Sequence, residues 1–242
     1  MTHSDMPVRA GADIIGATDS LRVDVALGMS ERIGVRTSFH VERWDEEQTA
    51  WAMRRIGFGD WLPPPGPTGG ITPGQFASVG VETYLVTQDD DCNLITEQGW
   101  AALLGSVAGT SITTKFSATQ ARIGVGTSST AANGADTKVT GDTGSASTTS
   151  YYKLVNGAPV ITTTGVIGTL VFVSVFGTAV ANFVWAEFGT DNGSADGVTI
   201  TATNPVFLNH GISAQGTKAS GQTWTATETL SFGYPSGAGT LS

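Results

Sequence analysis

Tyr151-Tyr-Lys-Leu-Val155, Val160-Ile-Thr-Thr163 and Thr169-Leu-Val-Phe-Val-Ser-Val-Phe176 follow one another with only short connections. Each run is rich in β-branched and aromatic residues, and each is of strand length rather than helix length. Asn156-Gly157 stands between the first two, a dipeptide that favours the tight turn of a hairpin. Similar runs occur at Ala121–Val125, Asn182–Phe188, Val198–Thr203 and Thr223–Phe232, with turn-forming residues between them. Seven short strands with few helices predict a mainly β protein, an antiparallel β-sandwich, with a jelly roll carrying swapped or added edge strands as a variant.

The charge pattern divides the chain. Of its 33 charged residues, 22 lie in residues 1–100 and 11 in the remaining 142, where Thr, Gly, Ser, Ala and Val take their place. A surface of that kind meets a neighbouring subunit without the cost of desolvating ions. The net charge of −9 and the lack of a basic stripe argue against a nucleic-acid partner, which needs clustered Lys and Arg. No stretch reaches the ~18 apolar residues of a membrane-spanning helix. The opening Met1-Thr-His-Ser-Asp lacks the basic and apolar regions of a secretory signal, so synthesis and assembly in a cytoplasm are expected.

The N-terminal third reads differently. Residues 1–62 are expected to form an extended arm with one docking helix, residues 63–79 a Pro/Gly-rich linker, and residues 80–242 the β-sandwich domain. Leu21-Arg-Val-Asp-Val alternates as a strand would. The helix is expected over 42–56, with Asp45, Glu46 and Glu47 in its first turn and Arg54 and Arg55 in its last, both suited to the helix dipole. Pro63-Pro-Pro-Gly-Pro67 excludes helix and central strand. Trp44, Trp51, Phe58, Trp61 and Phe76 are the candidate anchors of an assembly interface. A second helix is expected over 96–104, capped by Thr96 and ended by Gly105. Residues 127–150 are small and polar, a stretch expected to be loose or draped on a neighbour.

Catalytic and metal-binding patterns fail one by one. The single cysteine, Cys92, follows three aspartates, the wrong setting for a reactive thiol, and excludes an internal disulfide. Asp89-Asp-Asp-Cys-Asn opens like a calcium loop but puts Leu94 where glycine is needed and Trp100 where the bidentate glutamate is needed. Asp191-Asn-Gly-Ser-Ala-Asp-Gly reads as a loop of turn formers. His3, His40 and His210 have no ligand spacing. Gly124-Val-Gly126 lacks the rest of a dinucleotide loop and reads as a strand entering a turn. Glu187 and Glu228 are the one carboxylate pair considered for glycoside cleavage, and each is expected on a strand surface. No enzymatic activity, cofactor or metal is expected.

Three stretches carry a resemblance. They are Asp89-Asp-Asp-Cys-Asn-Leu-Ile-Thr-Glu-Gln-Gly-Trp-Ala-Ala-Leu-Leu; Ala121-Arg-Ile-Gly-Val-Gly-Thr-Ser-Ser-Thr-Ala with Asp136-Thr; and Asn182-Phe-Val-Trp-Ala-Glu-Phe-Gly through Leu208-Asn-His-Gly-Ile to Gly216-Thr-Lys-Ala-Ser-Gly-Gln-Thr-Trp-Thr-Ala-Thr. Together, over about residues 80–242, they resemble accessory virion proteins of tailed bacteriophages, of the head decoration, minor capsid, tail or fibre kinds. The resemblance implies a β-rich assembly module located in the virion, oligomeric, with other virion proteins (major capsid or tail proteins) as partners. The leading expectation is a head-associated decoration or minor capsid protein that stabilises the capsid lattice. The alternative is a tail or fibre component that binds a host surface glycan, with Tyr151, Tyr152, Trp185 and Trp224 as the aromatics that would stack on sugar.

Overall fold

A computed structural model describes residues 34–56, 70–90, 93–109, 115–143, 148–165, 167–197 and 205–233. Phe58, Trp61, Cys92 and the strands expected at 21–25 and 198–203 lie outside these residues. The described strands are β1 Gly34–Trp44, β2 Leu85–Asp90, β3 Asn93–Ile95, β4 Arg122–Gly126, β5 Ser150–Leu154, β6 Val160–Thr164, β7 Ile167–Phe176, β8 Val184–Asp191, β9 Phe207–Thr217 and β10 Thr223–Gly233; the helices are α1 Glu46–Ile56, α2 Pro73–Ser78 and α3 Glu97–Val107. The strands form two antiparallel five-stranded sheets, ordered β2-β1-β10-β7-β6 and β3-β9-β8-β4-β5. The expectation of a mainly β, antiparallel sandwich is met.

The core lies between the sheets and follows the period-two rule of strands. In β1, Thr37, Phe39, Val41 and Arg43 are buried and the residues between them are half-exposed. In β10, Trp224, Ala226, Glu228 and Leu230 point inward. Phe39 of the first sheet stacks on Phe188 of the second with centroids 3.8 Å apart. Phe176 meets Trp185, and Trp185 meets Trp224, both edge to face at 4.7 and 4.9 Å. Such aromatic pairs contribute about 0.5–1.5 kcal/mol each beyond their area burial.

β1 lies in a place the sequence did not predict. It is a central strand, paired along its full length with β10 on one side and over Ser38–Arg43 with β2 on the other. The sandwich therefore takes in residues 34–44, which the sequence assigned to the arm. The helix expected from residue 42 starts at Glu46 because 42–44 continue β1. Asp45 accepts from the Gln48 amide at 2.8 Å, and the Gln48 side chain accepts from the Asp45 amide at 3.1 Å, a reciprocal cap that fixes the start. Part of the expected linker is also helical: α2 is capped by Thr72 and Gln75 in the same reciprocal way. Trp44 and Phe76 stack at 4.3 Å, and with Ala52 and Ile71 they form a second, smaller core.

Asn156-Gly157 does not close a hairpin. β5 belongs to the second sheet and β6 to the first, so the chain crosses between sheets here, with Gly157 at φ +111° and the Asn156 amide bonded to Val173 O at 2.6 Å. The hairpin is the next connection, where Thr164 pairs with Ile167. α3 starts at the expected cap, Thr96, whose hydroxyl accepts from the Gly99 amide at 3.0 Å. It runs past Gly105 to Val107, and Gly109, at φ +68°, follows its end.

Candidate functional site

A dense polar constellation lies on the face of the second sheet turned away from the first. β8 supplies Glu187 and Asp191, β9 supplies His210, β4 supplies Arg122, and the segment after β4 supplies Asp136. Alternation along β8 separates the two faces: Phe188 and Thr190 point into the sandwich, while Glu187 and Asp191 point out beneath residues 127–143.

His210 sits between two carboxylates. Its Nδ1 is 2.6 Å from Asp136 Oδ2 and its Nε2 is 2.9 Å from Glu187 Oε2, with the His210 and Glu187 side chains fully buried. Glu187 also accepts backbone bonds from Thr140 at 2.8 Å, Gly141 at 2.7 Å and Ser128 at 3.2 Å. Burial alone would raise the Glu187 pKa, but the bonds from His210, Gly141 and Thr140 outweigh it and leave the carboxyl below its ordinary value. Burial likewise would lower His210, and its two carboxylate partners raise it above its ordinary value instead. The charged forms of both groups are favoured together.

Beside this cluster, Arg122 makes a two-pronged bond to Asp191 at 2.7 and 2.5 Å and lies 4.7 Å over the Tyr152 ring. The Tyr152 hydroxyl accepts from the Val139 amide at 2.9 Å, and Val139, Tyr152 and Phe207 pack together beneath the segment. Gly124 and Gly126 are explained by this packing. A Cβ on Gly124 would fall inside the Tyr152 ring's contact distance, and one on Gly126 would strike Glu187 Oε1. The motif that reads as a strand entering a turn is thus a space cleared for two larger side chains. The segment 127–143, expected to be loose or draped on a neighbour, folds onto the chain's own sheet.

The chemistry of this cluster is that of a clamp. Both ring nitrogens of His210 are engaged by carboxylates, so neither faces a substrate. Glu187 is fully occupied as an acceptor. Among the described residues no group of three or more His, Cys, Asp or Glu is arranged to hold a metal ion. Asp136 and His210 are 74 residues apart, and the sequence offers no spacing signal to join them.

Glu187 and Glu228 are both buried, against the surface positions expected for them. They do not meet. Glu228 lies between the sheets, where it accepts from Asn93 Nδ2 at 2.6 Å and from the Thr190 hydroxyl, and burial raises its pKa to about 7. Lys218 is buried too, donating to Gly177 O and Asn182 Oδ1 at 2.8 Å each, with its pKa lowered to about 7 by desolvation.

Among the described residues, the candidate anchors separate into two groups. Trp44 and Phe76 are spent on the small core. Trp51 is 37% exposed and lines an open groove of about 530 Å³ with Asp45, Glu47, Gln48 and Glu82. Its ring carries Arg55 at 5.2 Å. Of the aromatics considered for sugar stacking, Trp185, Trp224 and Tyr152 are buried, and half-buried Tyr151 packs edge-on against Phe176. None of the helices described is long and apolar enough to cross a membrane. No family model matches the chain, and neither a curated protein nor a solved structure matches it.

Proposed function

We propose that the chain is a non-catalytic structural subunit of a tailed-phage particle, a head-associated decoration or minor capsid protein. The observation that carries this reading is where polarity has been placed. The charged groups of the buried clusters are closed onto partners from the chain itself, while apolar side chains are left open at Tyr84, Leu85 and Val86 on one edge of the first sheet and at Val160 and Ile161 on the other. An enzyme keeps reactive polar groups accessible and unsatisfied until substrate arrives, whereas the buried charged clusters described here are closed onto partners within the chain. The resemblance to accessory virion proteins supplies the setting, and among the described residues Trp51 is the anchor candidate that is accessible for docking.

The test is the copy number per particle, measured by quantitative mass spectrometry of purified virions. Hundreds of copies support a lattice-bound head protein, a few to a dozen a fibre or collar, and absence from particles defeats the proposal. A second measurement concerns the arm. Removing residues 1–62 would delete central strand β1, so the informative truncation removes residues 1–33. It should leave a folded protein that no longer incorporates into particles.

A further inference from the structure

A sandwich of two open sheets has four edge strands, and an exposed edge offers unpaired N–H and C=O groups to any other strand. Three of the four are blunted. β3 is three residues long. β5 carries Lys153, which is paired with Asp196 at 2.5 Å, and Tyr152 exchanges backbone bonds with Gly197 along its outer side. β2 ends in Asp89 and Asp90. β6 has none of these protections. Its five residues, Val-Ile-Thr-Thr-Thr, are all exposed, Ile161 at 76%, and no described residue pairs with its outer side.

The surroundings of β6 narrow down what could cover it. From Leu154 to Phe188 the only charged residue in the sequence is Glu187, so β6 and the whole of β7 beside it carry no charge in a chain of net charge −9. Two copies of so acidic a protein repel each other unless they meet where charge is missing. A two-fold contact also sets each residue near the axis against itself or its near neighbour, so a charge there would face its own copy. The backbone is self-complementary as well. Thr164 and Ile167 flank a two-residue connection and so form a hydrogen-bonded pair. Alternation then turns the N–H and C=O groups of Ile161 and Thr163 outward. Antiparallel pairing of β6 with a second β6, centred on Thr162, sets Ile161 against Thr163 of the other copy as a hydrogen-bonded pair. Thr162 then faces its own counterpart as the closer, non-bonded pair.

We propose that β6 is the self-association edge of this protein: two copies pair Val160–Thr164 antiparallel about a two-fold axis at Thr162, joining their first sheets into one continuous ten-stranded sheet. This deepens the assembly reading above and rests on it for its biological setting.

The experiment uses the full chain. Sedimentation velocity and light scattering, run up to about 100 μM so that a micromolar dimer is populated, should show a concentration-dependent dimer. The double substitution Ile161→Lys with Thr163→Lys sets like charges against each other at the bonded pair. It should weaken the dimer at least about tenfold, with far-UV circular dichroism and melting unchanged because both side chains are exposed. In a Cys92→Ser background, Thr162→Cys should give a disulfide-linked dimer on mild oxidation, and Val160→Cys, displaced from the axis, should give far less. A monomer throughout the range, a dimer indifferent to the lysines, or equal cross-linking at 160 and 162 overturns the proposal. In the last two cases another surface or a different strand register is responsible. A monomer that is nevertheless abundant in virions removes only the self-pairing; a β6-dependent dimer that is absent from virions removes only the virion role.

Discussion

Glu187 shows how one carboxylate can hold a segment of chain. Three backbone amides and one imidazolium converge on it, and its side chain is fully buried. Glu187→Gln keeps the shape and removes the charge, leaving His210 with one carboxylate and the amides with a neutral acceptor. Breaking a buried pair of this kind costs about 3–5 kcal/mol, measurable as a lower urea midpoint. Gly126→Ala is expected to act on the same contact from the other side. Its methyl group would displace the carboxylate, costing about 1–3 kcal/mol by overpacking, readable in the same unfolding assay. Glu228 behaves in the opposite sense. Its carboxyl is raised to about 7 from 4.5, so folding favours the protonated acid, and stability is lost as pH rises through about 7. Glu228→Gln should therefore stabilise the protein at pH 8, by up to about 3 kcal/mol at 1.36 kcal/mol per unit, and change little at pH 4.5. Thermal melts of the two proteins at both pH values check this.

At the scale of elements, the legibility of the sequence follows the chemistry of each strand. β7 and β10 are conspicuous because alternating Val, Phe, Leu, Trp and Thr leave no other option. β9 escapes a hydrophobic pattern because Asn209, His210, Ser213 and Gln215 occupy buried positions that such a pattern reserves for apolar residues; they are there to bond Thr190, Glu187, Asp136 and Asp89. β1 escapes it because a central strand carrying His40, Glu42 and Arg43 looks like part of a solvated arm. Arg43 is in fact inside, 4.4 Å over the Trp224 ring and 2.5 Å from Gln215. Asn156-Gly157 does mark a change of direction, but local sequence does not say whether a turn returns the chain to its own sheet or carries it to the other. The clamp is illegible for a related reason, since its three members come from different elements joined only by the fold. Trp51→Ala tests the element-level anchor: the side chain is partly exposed and outside both cores, so melting should hardly move, while incorporation into particles should fall if α1 docks.

For the molecule as a whole, the pH dependence is the sum of opposed groups. The raised His210 contributes stability that is full below its ordinary pKa of 6.5 and is lost as pH rises through its folded value. The lowered Glu187 contributes stability that is full above its ordinary 4.5 and is lost as pH falls through its folded value. Together they put the strongest clamp between pH 4.5 and 6.5. Glu228 adds a decline toward pH 7, and Lys218, lowered from 10.5 to about 7, adds a recovery above it. Melting temperature is therefore expected to be higher at about pH 5.5 than at about pH 7.5. The difference should shrink in His210→Gln, whose side chain has no proton to lose; an unchanged difference in that variant would mean the clamp does not set the profile.

The position of β1 also sets a timetable. Gly34 is paired with Gly233, so the first described strand waits for the last before its main ladder can form. At ribosomal speeds of about 5–20 residues per second, roughly 200 residues of synthesis separate the two, an interval of about 10–40 s. During that time the edge of β1 that β10 occupies has no strand to pair with. So non-local a closure predicts slow folding, and it makes the nascent chain a natural client for chaperones until β10 leaves the tunnel.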